Sequence, residues 1–452
     1  MNTFEVPLTE DNLVHYLERD IIERNQDISC FYKLLEAQNS SCAIAIDGRW
    51  GSGKTVFVKQ LKLLVEALNV SSNMKEKTRS AVKNRLGFQP DDHGCNFAIY
   101  YDAWKNDHDA EPMYSLIYEI TRQLHVDFSL SDINIPRQAS GILKAFSGLD
   151  LTGIVDAFDE KNPFKEFTDQ KNIEDRVESF INSIVPERGN RLVLFIDELD
   201  RCKPAYAVKL LEQIKHYIVD DRITFVFSVN LEQLQHTIKH CYGSDFDACR
   251  YLDRFFNLRI NLPPANMRKF YTEIGMDTSP HLVETVMKRI ITMFHFELRE
   301  ITRFYTQVKA SFCEATDGDL KYGFNFLDGN GRHLMLLCVV PLLIGLEIAD
   351  VSRFDNFING KDSSPLIELF DDEDAGRILR GLLDRKESFA EVNGMTRVTS
   401  EEITQRLYNA IFAQKYNNGS KETVLGQYEF DESSKRFALS VAGMMSKYTW
   451  LN

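Results

Sequence analysis

Residues 48–55 read GRWGSGKT and follow directly on the apolar run CAIAID (42–47). Few short sequences restrict a fold so strongly. Gly48, Gly51 and Gly53 permit a backbone curl whose N–H groups point inward, close enough to meet phosphate oxygens. A helix that starts at Lys54 turns its partial positive charge toward the same point. Lys54 supplies a point charge for β- and γ-phosphates, and the Thr55 hydroxyl suits Mg²⁺. The spacing is that of a P-loop, G-x-x-x-x-G-K-[ST], between a strand and a helix as the motif requires. Gly48, Arg49, Trp50, Gly51, Ser52, Gly53, Lys54, Thr55 and Val56 are therefore the expected nucleotide-binding residues.

Such a loop calls for a second element, an apolar strand that ends in an acid. LVLFIDE (192–198) has this form. Asp197 is expected to join Thr55 as a metal residue, and Glu198 to polarise a water that attacks the γ-phosphate. Asn230 ends the strand FVFSV (225–229), where a polar residue either senses the γ-phosphate or starts a turn. No Asn-Lys-x-Asp guanine motif occurs, so the expected ligand is ATP with Mg²⁺.

Strands at 42–47, 97–101, 191–197, 222–229 and 258–262 alternate with helical stretches. Each strand is apolar on both faces, which predicts a mostly parallel sheet covered on both sides. The expected fold is α/β: a three-layer P-loop NTPase core followed by an all-α C-terminal domain. The expected divisions are an N-terminal helical segment (1–40), the core (41–264, with a variable insert at about 125–172), and a helical lid and C-terminal domain (265–452). The polar stretch 71–94 reads as an exposed excursion whose cluster KEKTRSAVKNR (75–85) is a solvated helix face or a contact for nucleic acid or anionic lipid.

The longest apolar run, LMLLCVVPLLIGL (334–346), is shorter than the ~20 residues a spanning helix needs, and predicts a buried helix. The stretch 141–158 is interrupted by Lys144, Asp150 and Asp156 and reads as amphipathic core or lid. Eight cysteines without zinc spacing suit reduced thiols in a cytoplasmic protein. The net charge of −14 gives no whole-chain attraction to nucleic acid.

GRWGSGKT, YYDAWKND followed by Glu111-Pro112, IDELDRCKP (196–204), FSVNLEQL (227–234) and YLDRFFNLRINLPP (251–264) together resemble the KAP family of P-loop NTPases over about residues 8–310. The resemblance implies that Trp104 follows the second strand, Arg201 follows the acidic strand and Arg254 precedes the last strand. It also implies a helical-lid segment at ELREITRF (297–304), where Arg299 or Arg303 reaches a nucleotide. Arg254 and Arg299 are thus the candidate arginines for completing catalysis, with surface ion pairing as the alternative. Arg201 has the alternative of pairing with Asp200, and Trp104 that of simple packing.

The sequence also departs from the family. Glu198 stands where Asp is usual, Asn230 where Asp is frequent, and the stretch 128–172 lacks the membrane spans of many members. The family implies a cytosolic switch or motor-like module, with several relatives associated with exclusion of bacteriophage or mobile elements. Self-association, with an arginine completing the site across a subunit contact, or a separate effector protein is the expected partnership. A nucleotide-locked scaffold with little turnover is the alternative. A nucleic-acid-stimulated ATPase is disfavoured by the acidic charge.

Overall fold

The computed structural model describes residues 7–38, 40–109, 111–124, 189–217, 220–276, 282–316, 334–377, 400–413, 423–425, 428–430 and 432–443. The expected insert at about 125–172, with its apolar stretch 141–158, lies outside these residues. The chain divides into two compact units, Met1–Asn266 and Met267–Asn452.

The first unit is built on five parallel strands: β1 (Cys42–Asp47), β2 (Asn96–Asp102), β3 (Arg191–Asp197), β4 (Ile223–Val229) and β5 (Leu258–Asn261). Their spatial order is β2-β3-β4-β1-β5. Side chains alternate between two apolar layers, as a period of two requires. Leu192, Leu194 and Ile196 of β3 enter one layer, and Val193 and Phe195 enter the other. Covered on both faces, the central strands can be apolar at nearly every position. β5 is the exception: short, mostly exposed and ended by Pro263-Pro264, it is an edge strand.

Register fixes the functional edge. Asp102 pairs with Asp197, Asp197 with Ser228, and Asp47 with both Val229 and Asn261. The carboxyl ends of all five strands therefore lie in one row, where ligands of open α/β sheets bind.

One face of the sheet carries α1 (Glu10–Arg19), α2 (Asn25–Glu36), α3 (Lys54–Leu68) and α4 (Glu76–Arg85). The other carries α5 (Pro112–Gln123), α6 (Pro204–Tyr217), α7 (Leu231–Tyr242) and the short α8 (Ala248–Leu252). The N-terminal helices share a core with β1 and α3, with Leu13, Leu17, Ile28 and Leu35 buried in it.

The stretch 71–94 is not simply an exposed excursion. Arg79 donates to the carbonyls of Ala67, Asn69 and Ser72 and so satisfies the end of α3, while buried Lys83 donates to the carbonyls of Pro90 and Asp92. Long cationic side chains bury their stems where their heads find acceptors. Two of the cluster's cations are thereby turned inward.

In the second unit, α9 (Met267–Ile274), α10 (Leu282–Met293), α11 (Leu298–Thr316), α12 (Val340–Ala349), α13 (Val351–Ile358), α14 (Ser364–Phe370), α15 (Ser400–Tyr408) and α16 (Glu432–Gly443) are described. A short antiparallel pair, Thr423–Leu425 with Tyr428–Phe430, accompanies these helices. The apolar run 334–346 is buried throughout. Its first part is a π-helical stretch, Met335–Val339, ahead of Pro341. Proline has no N–H to donate and crowds the preceding turn, so the ladder widens there.

Candidate active site

The phosphate loop joins β1 to α3. Gly51 and Gly53 have φ of 85° and 91°, a region that costs side-chain-bearing residues energy. Gly48 is needed for a different reason: a Cβ there would lie 3.0 Å from Ser52 Oγ and 3.4 Å from Lys54 Cδ. The first turn of α3 holds no acid and no side chain caps it, so its free N–H groups and positive end face the loop. Buried Lys54 donates its Nζ to the carbonyls of Gly48 and Arg49. Ser52 Oγ is buried without a hydrogen-bond partner. Arg49 is exposed at the loop's tip and Val56 half-buried in the first turn of α3.

β4 alone separates β1 from β3, so the loop and the acids are one strand apart. Asp197, almost fully buried, accepts the Glu198 N–H on Oδ1 at 3.0 Å and the Tyr100 hydroxyl on Oδ2 at 2.9 Å. Tyr100 has the Lys59 ammonium 4.6 Å from its ring centroid. Glu198 has a left-handed backbone, φ 61°, uncommon for a residue with a side chain. Its Oε1 lies 3.5 Å from Thr55 Oγ1, and its other oxygen is ion-paired with Arg201. The loop and the acidic strand therefore meet at Thr55 and Glu198.

The charges are unevenly matched. Burial pushes Glu198 up to about 7, helped by Asp197 and opposed by Arg201 and Lys54. Burial likewise raises Asp200, which accepts the Trp50 indole N–H at 2.6 Å. Burial lowers Lys54, an effect offset by Asp200, Asp197, Glu198 and Asp47. Four carboxylates thus act on Lys54, while Arg201 pairs with one of them, Glu198, and Lys59 acts with Asp197. Among the described residues no group of three His, Cys, Asp or Glu side chains forms a metal cage. Mg²⁺ at phosphate sites takes only one or two protein oxygens and the rest from phosphate and water. The Thr55 hydroxyl, the Asp197 carboxylate and the surplus of negative charge fit that cation.

A family model described as the KAP family P-loop domain matches residues 24–310, well over half of the chain. The chain belongs to the KAP family of P-loop NTPases. Membership makes the chain a nucleotide-binding protein of the NTPase kind. No curated protein matches it. Among the described residues no helix is long and apolar enough to cross a membrane.

The remaining candidates of this KAP chain fall into different places. Asn230 ends β4 between loop and acids, and its Oδ1 accepts the Gln233 N–H at 3.3 Å as the N-cap of α7. Arg201 pairs with Glu198 and not with Asp200, because the turn Leu199–Arg201 puts residues three apart on one side. Its guanidinium lies between two exposed indoles, 5.6 Å from the ring centroid of Trp50 and 5.4 Å from that of Trp104. Trp104 is 52% exposed and is therefore a partner of Arg201 and not a buried packing residue.

Arg254 is not brought to the acids. The Asn257 N–H donates to the Ala43 carbonyl, so Arg254 precedes β5 at the amino-terminal edge of the sheet. The four steps along β1 from Ala43 to Asp47 put roughly 13 Å of strand between that edge and the loop. Arg254 is exposed there, and Arg299 and Arg303 are exposed on α11 of the second unit.

Sequence reasoning missed Tyr100, Asp47 and Arg24. Asp47 Oδ1 accepts the Leu231 N–H at 2.9 Å, tying β1 to the start of α7. Its only signal was an acid before the first glycine. Tyr100 lies within the strand expected at 97–101 and Arg24 within the N-terminal helical segment, and neither carries a motif.

Proposed function

We propose that this KAP-family chain binds ATP with Mg²⁺ and hydrolyses it at the carboxyl edge of its sheet, using the cycle as a cytosolic switch or motor-like module. The observation that carries this reading is the meeting of Thr55 and Glu198, 3.5 Å apart, with Lys54 and Asp197 beside them. Lys54 exchanges the Gly48 and Arg49 carbonyls for phosphate oxygens, joined there by the free N–H groups of the loop and of the first turn of α3. Thr55 and Asp197 hold Mg²⁺, which offsets the negative charge of the phosphates. Glu198 orients the attacking water and receives its proton. A buried carboxyl with an affinity for protons near neutrality is suited to that exchange. Tyr100, by fixing Asp197 Oδ2, sets how that carboxylate is presented.

One observation favours a second reading, a nucleotide-locked scaffold. The Arg201 guanidinium pairs with the carboxylate that would accept the proton. Continuous phosphate release by the purified protein supports the ATPase, whereas stoichiometric retention of intact ATP supports the scaffold. A role in excluding bacteriophage rests on family resemblance alone, and loss of protection in a host carrying Lys54→Ala is its test.

A further inference from the structure

The turn between α1 and α2 touches the phosphate loop and the exit of the last strand at once. Arg24 is 4% exposed. Its Nη1 donates to the Ser52 carbonyl at 2.8 Å and its Nη2 to the Pro263 carbonyl at 2.6 Å. The two residues before it hold the same exit segment: the Ile22 carbonyl accepts the Asn266 N–H at 3.1 Å, and the Glu23 carboxylate accepts the Asn266 side-chain amide. Asn266 is the last residue of the first unit. The turn is conformationally costly, since Asp20 and Glu23 have φ of 43° and 55° without being glycine.

The contact with Ser52 has a direct consequence for phosphate binding. The Ser52 carbonyl and the Gly53 N–H belong to one planar trans peptide unit and point in opposite directions. A donor that holds the carbonyl on the outside of the curl turns the Gly53 N–H to its inside, where phosphate oxygens bind. The Ser52 hydroxyl has no hydrogen-bond partner of its own and does not perform this task. Arginine suits the position because its planar fork donates to two carbonyls in fixed directions, which a lysine ammonium on a flexible stem does not reproduce.

We propose that Arg24 is a positioning residue for phosphate binding that also ties the loop to the segment Pro263–Asn266 leading into the helical unit. Occupation of the loop then fixes the Ser52 peptide, tightens the Arg24 fork and steadies the exit segment. Displacement of that segment loosens the loop in turn, as reciprocity of coupling demands. The proposal rests on the reading of Gly48–Val56 as an ATP site.

The test compares full-length wild type with Arg24→Lys, using calorimetry with MgATP and hydrogen exchange at the Asn266 amide in the same samples. Wild type is expected to bind ATP and to slow Asn266 exchange on binding. Arg24→Lys is expected to melt within a few degrees of wild type when nucleotide-free, to bind ATP at least tenfold more weakly, and to lose the ATP effect on Asn266. A purely structural arginine would lower the melting temperature and leave the ATP-linked exchange intact. Equal ATP affinity in the two proteins overturns the proposal. So does an ATP-bound wild type with unchanged Asn266 exchange, a result that stands even when the variant does not fold. A wild type that binds no ATP overturns the nucleotide reading itself, and this inference with it.

Discussion

Glu198 combines a left-handed backbone with a carboxyl group whose proton affinity is raised to about 7 from an ordinary 4.5. The unfolded chain releases that proton first, so the group's burial lowers stability as pH rises from about 4.5 to about 7, and the cost is constant above. The difference corresponds to something on the order of 3 kcal/mol for a side chain only 19% exposed. Glu198→Gln, which cannot ionise, should therefore melt above wild type at pH 8, with the two proteins converging below pH 4.5. Thermal melts across pH check this, and a variant less stable at pH 8 would contradict it. Lys54→Ala removes the loop's buried ammonium and should weaken ATP binding by about 2–4 kcal/mol by calorimetry. That Lys54, Thr55, Asp197 and Glu198 would lie together was legible in the sequence, because the two motifs that carry them have fixed local spacing. Arg24 was not. Its partners Ser52 and Pro263 are 28 and 239 residues away, and nothing local marks an arginine that will be buried against carbonyls.

At the scale of elements, the parallel strands were legible because burial on both faces leaves a continuous apolar run, and the helices between them keep their own period. What was not legible was how one element presents another's side chain. β2 offers Tyr100 to Asp197 on β3, a contact set by register across two strands far apart in sequence. Tyr100→Phe keeps the ring and the Lys59 contact while freeing Asp197 Oδ2. The Mg²⁺ concentration for half-maximal phosphate release should rise about tenfold, with nucleotide affinity in the absence of metal unchanged. An unchanged metal requirement would leave Tyr100 a packing residue. The misread stretch 71–94 has a related cause. Arg79 and Lys83 look like surface cations until the carbonyls they serve are known.

At the scale of the whole molecule, the chain is two compact units, with the candidate site's Lys54, Thr55, Asp197 and Glu198 in the first. Arg254, exposed at the sheet edge away from the loop, can complete a site only in a neighbouring copy. If ATP bridges copies, Glu198→Gln with ATP and Mg²⁺ should form larger species than the nucleotide-free protein in light scattering over a concentration series. Scattering that does not change with nucleotide would remove Arg254 from the chemistry. The most direct test of the account is a paired measurement on Glu198→Gln: ATP affinity by calorimetry and phosphate release at saturating MgATP. The account predicts near-wild-type affinity with turnover reduced by about 10²-fold or more. Phosphate release at the wild-type rate would contradict it.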